Sequence, residues 1–301
     1  LLVNLEYLDL ADNQLTGSIP ELNSLTNLKY LSLYNNQLIG PIPALSGLTN
    51  LVILYLSDNQ LTGSIPALSG LTSLQELYLS DNQLTGSIPA LSRLTSLQYL
   101  YLSDNQLTGS IPALSSLTDL EILDLGYNQL TGSIPDLSGL TNLFSLDLGN
   151  NQLTGYIPDL SGLTDLRHLD LWNNQLTGSI PDTIDTALIK LYLQNNQLTG
   201  GLPDYLPGVC YLNNNKITGK IPVSLASISW GTNSLLALSG NYLDLTDVDP
   251  LIQAKINSGK IEAALQWEPD KKPEPISKIW SSNGYLENPT SMVTYGNYLY
   301  I

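Results

Sequence analysis

The 301-residue chain is poor in sulfur, with one methionine and one cysteine, Cys210. A lone cysteine excludes an internal disulfide. Cys210 falls where other units of the chain place their first inward leucine, as at Leu54 and Leu77. It is expected to be a buried packing thiol, because a nucleophile would need a basic neighbour that is missing here. Base is scarce throughout: 11 lysines and arginines face 27 acids, for a net charge of −16. Residues 1–166 contain fifteen acids and only two bases, Lys29 and Arg93. Such a surface repels phosphate backbones and anionic lipid heads, which argues against nucleic acid and bare membrane as partners. No apolar run approaches the ~20 residues of a spanning helix. The sequence starts at Leu1 in mid-pattern, without methionine, signal peptide or polar cap, so a piece of a longer protein is expected.

What the chain has in abundance is repetition. Asparagines stand at Asn13, Asn36, Asn59, Asn82, Asn105, Asn128, Asn151 and Asn174, each 23 residues after the last. Asn196, Asn215 and Asn241 continue the series at spacings of 22, 19 and 26, so eleven coils are legible. A fixed period of this length is the signature of a solenoid. Each unit reads close to L-x-x-L-x-L-x-x-N-Q-L-T-G-S-I-P-x-L-S-G-L-T-x. The L-x-L segment alternates inward leucines with outward residues, which predicts a short strand. The asparagine after it should turn inward and satisfy backbone groups of its own turn and of the neighbouring coil. L-T-G-S-I-P alternates again and predicts a second short strand, with Gly17 and its equivalents providing a backbone geometry that a Cβ would obstruct. Proline, from Pro20 to Pro222, should stop that strand. The remaining x-L-S-G-L-T is too short for a long helix and is expected to form a 3₁₀ turn or loop on the convex side.

The repeat resembles the leucine-rich repeat family, specifically the plant-specific subtype that carries N-x-L-T-G-x-I-P, over residues 1–243. The resemblance implies a right-handed α/β repeat solenoid: an arc with a parallel inner sheet, here of eleven strands, and a short second sheet beside it. It also implies a non-enzymatic role in extracellular or cell-surface recognition and adhesion. Paired-cysteine caps and N-x-S/T sequons, common in plant receptor ectodomains, are missing, and the units are short and uniform. A bacterial secreted or surface protein using plant-like repeats is therefore expected.

Beyond Asn241 the hexamer is lost. Residues 244–267 contain helix-like segments broken at Ser258-Gly259, whose Leu251, Ile252, Ile256, Ile261 and Leu265 could cover the last coil as a cap. Residues 268–275 are charged and proline-rich, as in a linker. Residues 276–301 hold two β-like runs, the second a candidate hairpin about Gly296-Asn297. This stretch bears a slight resemblance to the opening strands of a bacterial β-propeller, and a further β-rich domain is expected to start there.

In a repeat scaffold, recognition lies on the residues that vary while the frame stays fixed. The columns four and six residues before the ladder asparagine should both face the concave side. They give an aromatic field of Tyr30, Tyr55, Tyr78, Tyr99 and Tyr101, then an acidic stripe of Asp124, Asp147 and Asp170, with His168 among them and Trp172 at the border. Tyrosines offer rigid contact area with a polar tip, suited to a protein or polysaccharide ligand at a cell surface. The aspartates suit basic partners, and a weak calcium site on Asp124, Asp147 and Asp170 is an alternative. A second acidic ladder, Asp58, Asp81 and Asp104, invites the same question. Ser145, His168 and Asp147 or Asp170 superficially form a hydrolase trio, but nothing supplies an oxyanion hole or an enclosed pocket. Finally, Thr62/Ser64, Thr85/Ser87, Thr108/Ser110 and Thr131/Ser133 form a hydroxyl grid that would suit ice, although T-G-S is part of the repeat itself and Pro41 and Tyr156 interrupt the grid.

Overall fold

A computed structural model describes residues 3–182, 187–227 and 234–263, together with the backbone of strands Val293–Tyr295 and Tyr298–Tyr300. The chain winds as a solenoid whose inner sheet is parallel throughout. It runs in chain order from Tyr7–Asp9 through Tyr30–Ser32, Ile53–Tyr55 and their successors to Leu235–Ala237. A flank sheet of seven parallel strands, Thr16–Ser18 to Gln152–Thr154, lies beside it. Tyr156–Thr177 and Ser179–Thr199 bridges continue the flank irregularly.

Each inner strand of three residues sends its central leucine into the core and keeps the two neighbours outward. Leu54, Leu77 and Leu100 are fully buried, and Cys210 takes the same place in its coil. Burial pushes the Cys210 thiol pKa upward, which suits packing and not reactivity. Directly before each ladder asparagine, the backbone enters the left-handed region. Asp58, Asp81 and Asp104 have φ of 55°, 54° and 52°, and Asn150 and Asn173 have 53° and 51°. Short Asp and Asn side chains tolerate that geometry better than most, so the second acidic ladder has a backbone reason to exist. In the hexamer, Gly86 sits at φ 76°, where a Cβ would strain the chain. On the convex side the expected short turn forms: Leu71 N–H donates to Leu68 O and Leu74 N–H to Leu71 O, 2.9 and 3.0 Å. These i to i−3 bonds place three leucines per coil against the core.

The ladder asparagines tie the coils together. Asn105 Nδ2 donates to Leu79 O of the preceding coil at 3.0 Å and to Leu102 O and Ser103 O of its own turn at 3.2 and 3.1 Å. Its Oδ1 accepts from Leu84 N–H of the preceding coil at 2.9 Å. The pattern repeats through Asn241. Asn13 departs from the expected burial: it is exposed, and its side chain donates to Leu10 O and Ala11 O of its own turn.

Among the described residues the inner sheet has twelve strands, one more than the repeats predict. After the helix Pro250–Asn257, Gly259 turns at φ 71° and Ile261–Glu262 pairs with Leu235–Ala237. The expected second helical segment is thus a strand, because the last coil offers an open row of backbone donors and acceptors. Ile252 and Ile261 are buried and Ile256 packs on the core, but Leu251 points outward, 62% exposed. One turn of helix cannot present adjacent residues to the same face. Leu265 and the linker lie outside the described residues. Strands Val293–Tyr295 and Tyr298–Tyr300 pair antiparallel, as the hairpin pattern predicts.

Replacing a buried ladder residue, Asn105→Ala, strands partners in two coils and should destabilise the solenoid by about 2–4 kcal/mol in urea unfolding. Asn13→Ala should cost less than about 1 kcal/mol. Equal losses at both positions would mean that the cross-coil bonds are not what holds the stack.

Candidate functional site: the concave face

The inner sheet has an in-register pairing of 23 residues, so equivalent outward residues stack directly. Tyr55 faces Tyr78 and Tyr78 faces Tyr101. Their ring centroids are 4.5 and 4.6 Å apart, and Tyr30 meets Tyr55 edge-on at 5.9 Å. The sequence columns did bring these rings together. Tyr7, not singled out from sequence, extends the series by stacking on Tyr30 at 4.1 Å. Tyr30, Tyr55, Tyr78 and Tyr101 are half-buried against one another, whereas Tyr7 is exposed. Tyr99 lies in the other column and donates to Glu121 Oε2 at 2.8 Å, while Tyr55 donates to Glu76. These two glutamates hold the ring tips and were missed; Glu76 was visible in a column otherwise rich in aromatic and apolar residues. Burial and the Tyr101 charge raise the Tyr78 pKa to about 12, and burial raises that of Tyr101, so the rings stay neutral donors.

The acidic stripe follows without a gap. Tyr101 pairs with Asp124, Asp124 with Asp147, Asp147 with Asp170 and Asp170 with Tyr192. Neighbouring strands are ~4.8 Å apart, where like charges repel. Burial is the largest influence on all three. It raises the Asp124 carboxyl despite a 2.7 Å bond from Ser103 Oγ and a 3.1 Å bond from Gly126 N–H. It lifts Asp147 to about 6, against a 2.8 Å bond from Gly149 N–H and with help from the Asp124 charge. Asp170 rises to about 8, through burial and then the Asp147 charge, with the Trp172 backbone amide opposing. Among the described residues, no group of three or more acidic, histidine or cysteine side chains could hold a metal ion. The calcium reading of Asp124, Asp147 and Asp170 therefore finds no geometry: the carboxylates follow the strands and cap local amides instead of converging.

The border residues have a shared design. The Trp172 indole packs over Gly149, where a side-chain carbon would collide with its Nε1 and Cδ1. Tyr127 meets Trp172 edge-on at 5.6 Å. It occupies the left-handed position, φ 51°, that the other coils through Asn214 give to Asp or Asn. A bulky ring there is costly, so its presence calls for a reason. The sequence reading missed Tyr127, whose signal is its departure from the Asp or Asn that the column before the ladder asparagine otherwise holds through Asn214. Beyond Asp170, Tyr192 and Tyr211 form another edge-on pair at 5.2 Å.

Ser145 and His168 are strand partners, but no hydrogen bond joins them or joins His168 to an aspartate among the described residues. The imidazole packs edge-on against Phe144 at 5.5 Å, and burial followed by the Lys190 charge lowers its pKa. The hydrolase trio has no working geometry. On the flank, the hydroxyl grid is sheared relative to the expected one. Pairing shifts by 21 residues, so Ser64 faces Thr85, Ser87 faces Thr108 and Ser110 faces Thr131. Every one of these side chains is exposed, and so are the glutamines that begin the strands.

Comparison with known proteins adds context to this geometry. The repeat family described as Leucine Rich repeats (2 copies) matches residues 3–47, 49–93, 95–140 and 141–182, and a single Leucine Rich Repeat matches 187–209. The chain is similar to the plant peptide hormone receptor RGFR1, solved in complex with RGF2, at 37% identity and a TM-score of 0.71. That match covers 78% of this chain but only 40% of the receptor. The Arabidopsis receptor kinase HAESA, solved with the peptide hormone IDA and the co-receptor SERK1, is 32% identical with a TM-score of 0.73, covering 90% of this chain and 52% of that one. A plant ice-binding protein is 27% identical with a TM-score of 0.62, covering 87% of this chain and 81% of that one. No curated protein matches. These structures are from plants and lend no support to a bacterial origin.

The aspartates also govern the response to pH. Folding disfavours ionised Asp147 and Asp170, so their contribution is fullest below the ordinary carboxylate pKa of ~3.9 and is lost as pH rises through about 6 and about 8. The thermal midpoint should fall between pH ~4 and ~8, and Asp170→Asn should flatten the upper part of that slope. A variant with the parent's full slope would show that Asp170 is ionised at little cost.

Proposed function

Since this chain belongs to the leucine-rich repeat family, we propose that it is a non-enzymatic recognition scaffold that binds a protein or peptide ligand on its concave face, outside the cell. The observation that carries this reading is the unbroken run of contacting rings from Tyr7 to Tyr101, continued by the Asp124–Asp147–Asp170 stripe. A sheet held rigid by cross-coil hydrogen bonds presents this surface with little ordering to do on binding, which favours affinity. Likeness to RGFR1 and HAESA, both solved with peptide hormones, supports a peptide or protein ligand and an extracellular setting. The helix Pro250–Asn257 and strand Ile261–Glu262 serve in this reading as the cap of the stack, with buried Ile252 and Ile261 covering its last coil.

Tyrosine anchors at the centre of such a surface contribute about 2 kcal/mol each when they are hot spots. Tyr78→Ala combined with Tyr101→Ala should weaken the ligand by about 10²–10³-fold, measured by calorimetry or surface plasmon resonance, while the urea unfolding curve changes little. Undiminished binding by the double variant would move the site off the concave face.

A second reading has its own support. The flank sheet carries rows of exposed, uncharged Gln, Thr and Ser on a chain that is otherwise strongly acidic, and the plant ice-binding protein matches over most of both lengths. An ordered hydroxyl array on a flat sheet is a template for ordered water. Under this reading Thr85→Leu with Thr108→Leu should abolish ice shaping, whereas Tyr78→Ala with Tyr101→Ala should leave it intact. A parent chain that grows ice crystals of ordinary shape at high concentration disposes of it.

A further inference from the structure

The tyrosine rings that touch are not all placed alike. Tyr30 meets Tyr55 at 76°, Tyr55 meets Tyr78 at 70° and Tyr192 meets Tyr211 at 71°, each pair with an edge aimed at a face. Tyr78 and Tyr101 are tilted by 31°. Tyr7 and Tyr30 differ from all of these: their planes lie within 10° of parallel, with centroids 4.1 Å apart. That is closer than the roughly 4.5 Å at which aromatic pairs usually begin. Strand register holds them so, because Tyr7 pairs with Tyr30 in the parallel strands Tyr7–Asp9 and Tyr30–Ser32, and both side chains leave the sheet on one face.

Their hydroxyls are together as well. A hydrogen bond with the Tyr30 side chain, ahead of desolvation, lifts the Tyr7 pKa to about 12. Parallel rings that point the same way set the carbons ortho to one hydroxyl against those ortho to the other. A carboxylate is also at hand, since the Tyr7 hydroxyl donates to Asp9 Oδ2 at 3.3 Å. Neither ring is sealed off: Tyr7 is 58% exposed and Tyr30 is half-buried.

This geometry suits one reaction. Removing an electron and the hydroxyl proton from a phenol leaves a radical, with its spin in the π orbital at the oxygen and at the ortho and para carbons. That orbital stands perpendicular to the ring, so two such radicals couple through their faces. We propose that Tyr7 and Tyr30 are the site of an oxidative dityrosine link that fastens these two coils, made with hydrogen peroxide through a haem peroxidase. Each tyrosine gives up one electron and one proton, and the peroxide takes both pairs and leaves as two waters. The Asp9 carboxylate accepts the Tyr7 proton as the electron departs. An ortho carbon of Tyr7 then bonds to an ortho carbon of Tyr30, and the hydrogen on each of those carbons moves to its own oxygen and restores a phenol. The edge-on pairs lack this overlap of faces. Tyr156, though 72% exposed, meets no second tyrosine ring among the described residues, so a radical there couples only with another molecule. The link is independent of what the concave face binds.

The test treats the whole chain with a haem peroxidase and hydrogen peroxide at low protein concentration, then digests the monomer fraction after glutamate and lysine. Expected is segment 7–21 joined to segment 30–76 with the loss of two hydrogens, and fragmentation that places the bond between Tyr7 and Tyr30. Tyr7→Phe and Tyr30→Phe keep the ring but remove the oxidisable hydroxyl. Each should lose tenfold or more of the dityrosine fluorescence of the monomer, whereas Tyr78→Phe/Tyr101→Phe should keep most of it. In the linked monomer, amides of Tyr7–Asp9 and Tyr30–Ser32 should exchange with solvent more slowly than in the untreated chain, because a tied pair of coils opens less often. A main intramolecular link at any other pair overturns the site. Linked dimers without linked monomer, or undiminished monomer fluorescence in Tyr7→Phe, overturn it too. Unchanged exchange in the linked monomer overturns the fastening of the coils.

Discussion

Everything in this molecule depends on keeping backbone polar groups satisfied while thin coils are stacked. A coil has too little interior to bury its own turns, so its amides and carbonyls must find partners in the neighbouring coil. The ladder asparagine does this with one side chain. Asn82 Nδ2 reaches Leu56 O of the coil before it as well as Leu79 O and Ser80 O of its own turn, and Leu61 N–H of that earlier coil binds its Oδ1. An amide has donors and an acceptor on opposite ends, which is why aspartate or serine could not replace it. The leucines then exclude water from these bonds and the inner strands are held in register.

That register is what turns a sequence column into a surface. On the inner face equivalent positions lie opposite one another, so tyrosine meets tyrosine and aspartate meets aspartate. On the flank the two-residue offset sets serine against threonine. The same repeat therefore makes two surfaces of different character. One concentrates like residues and sharpens chemical contrast along the stack. The other alternates them into a uniform neutral field.

Because the period is fixed, much of this could be read from the chain. Tyr55, Tyr78 and Tyr101 share a column, and so do Asp124, Asp147 and Asp170; the period alone places each trio side by side. Whatever depends on angle or on a chain end could not be read in that way. The lean of the Trp172 indole over Gly149 is a rotamer choice across a strand, and Tyr127 reaches it from a backbone position normally given to Asx. The exposure of Asn13, the outward turn of Leu251 and the extra strand Ile261–Glu262 all fall at the first and last of the described coils. There the repeat pattern stops carrying information about burial.

Near-identity of the coils has a consequence for assembly. Between Gln60 and Ser133 the pentamer Q-L-T-G-S and the leucine frame recur almost letter for letter, so each coil offers the same edge to its successor. A growing stack could accept the coil after next with an equally good core, looping out the one between, and misassembly of this kind is a characteristic failing of repeat proteins. Core leucines and ladder asparagines cannot tell the right neighbour from the wrong one. The outward columns can: Tyr78 set against Asp124 forfeits the ring contact it makes with Tyr101, and Tyr99 loses Glu121 as its acceptor. The residues that distinguish one coil from another thus number the coils for the folding chain.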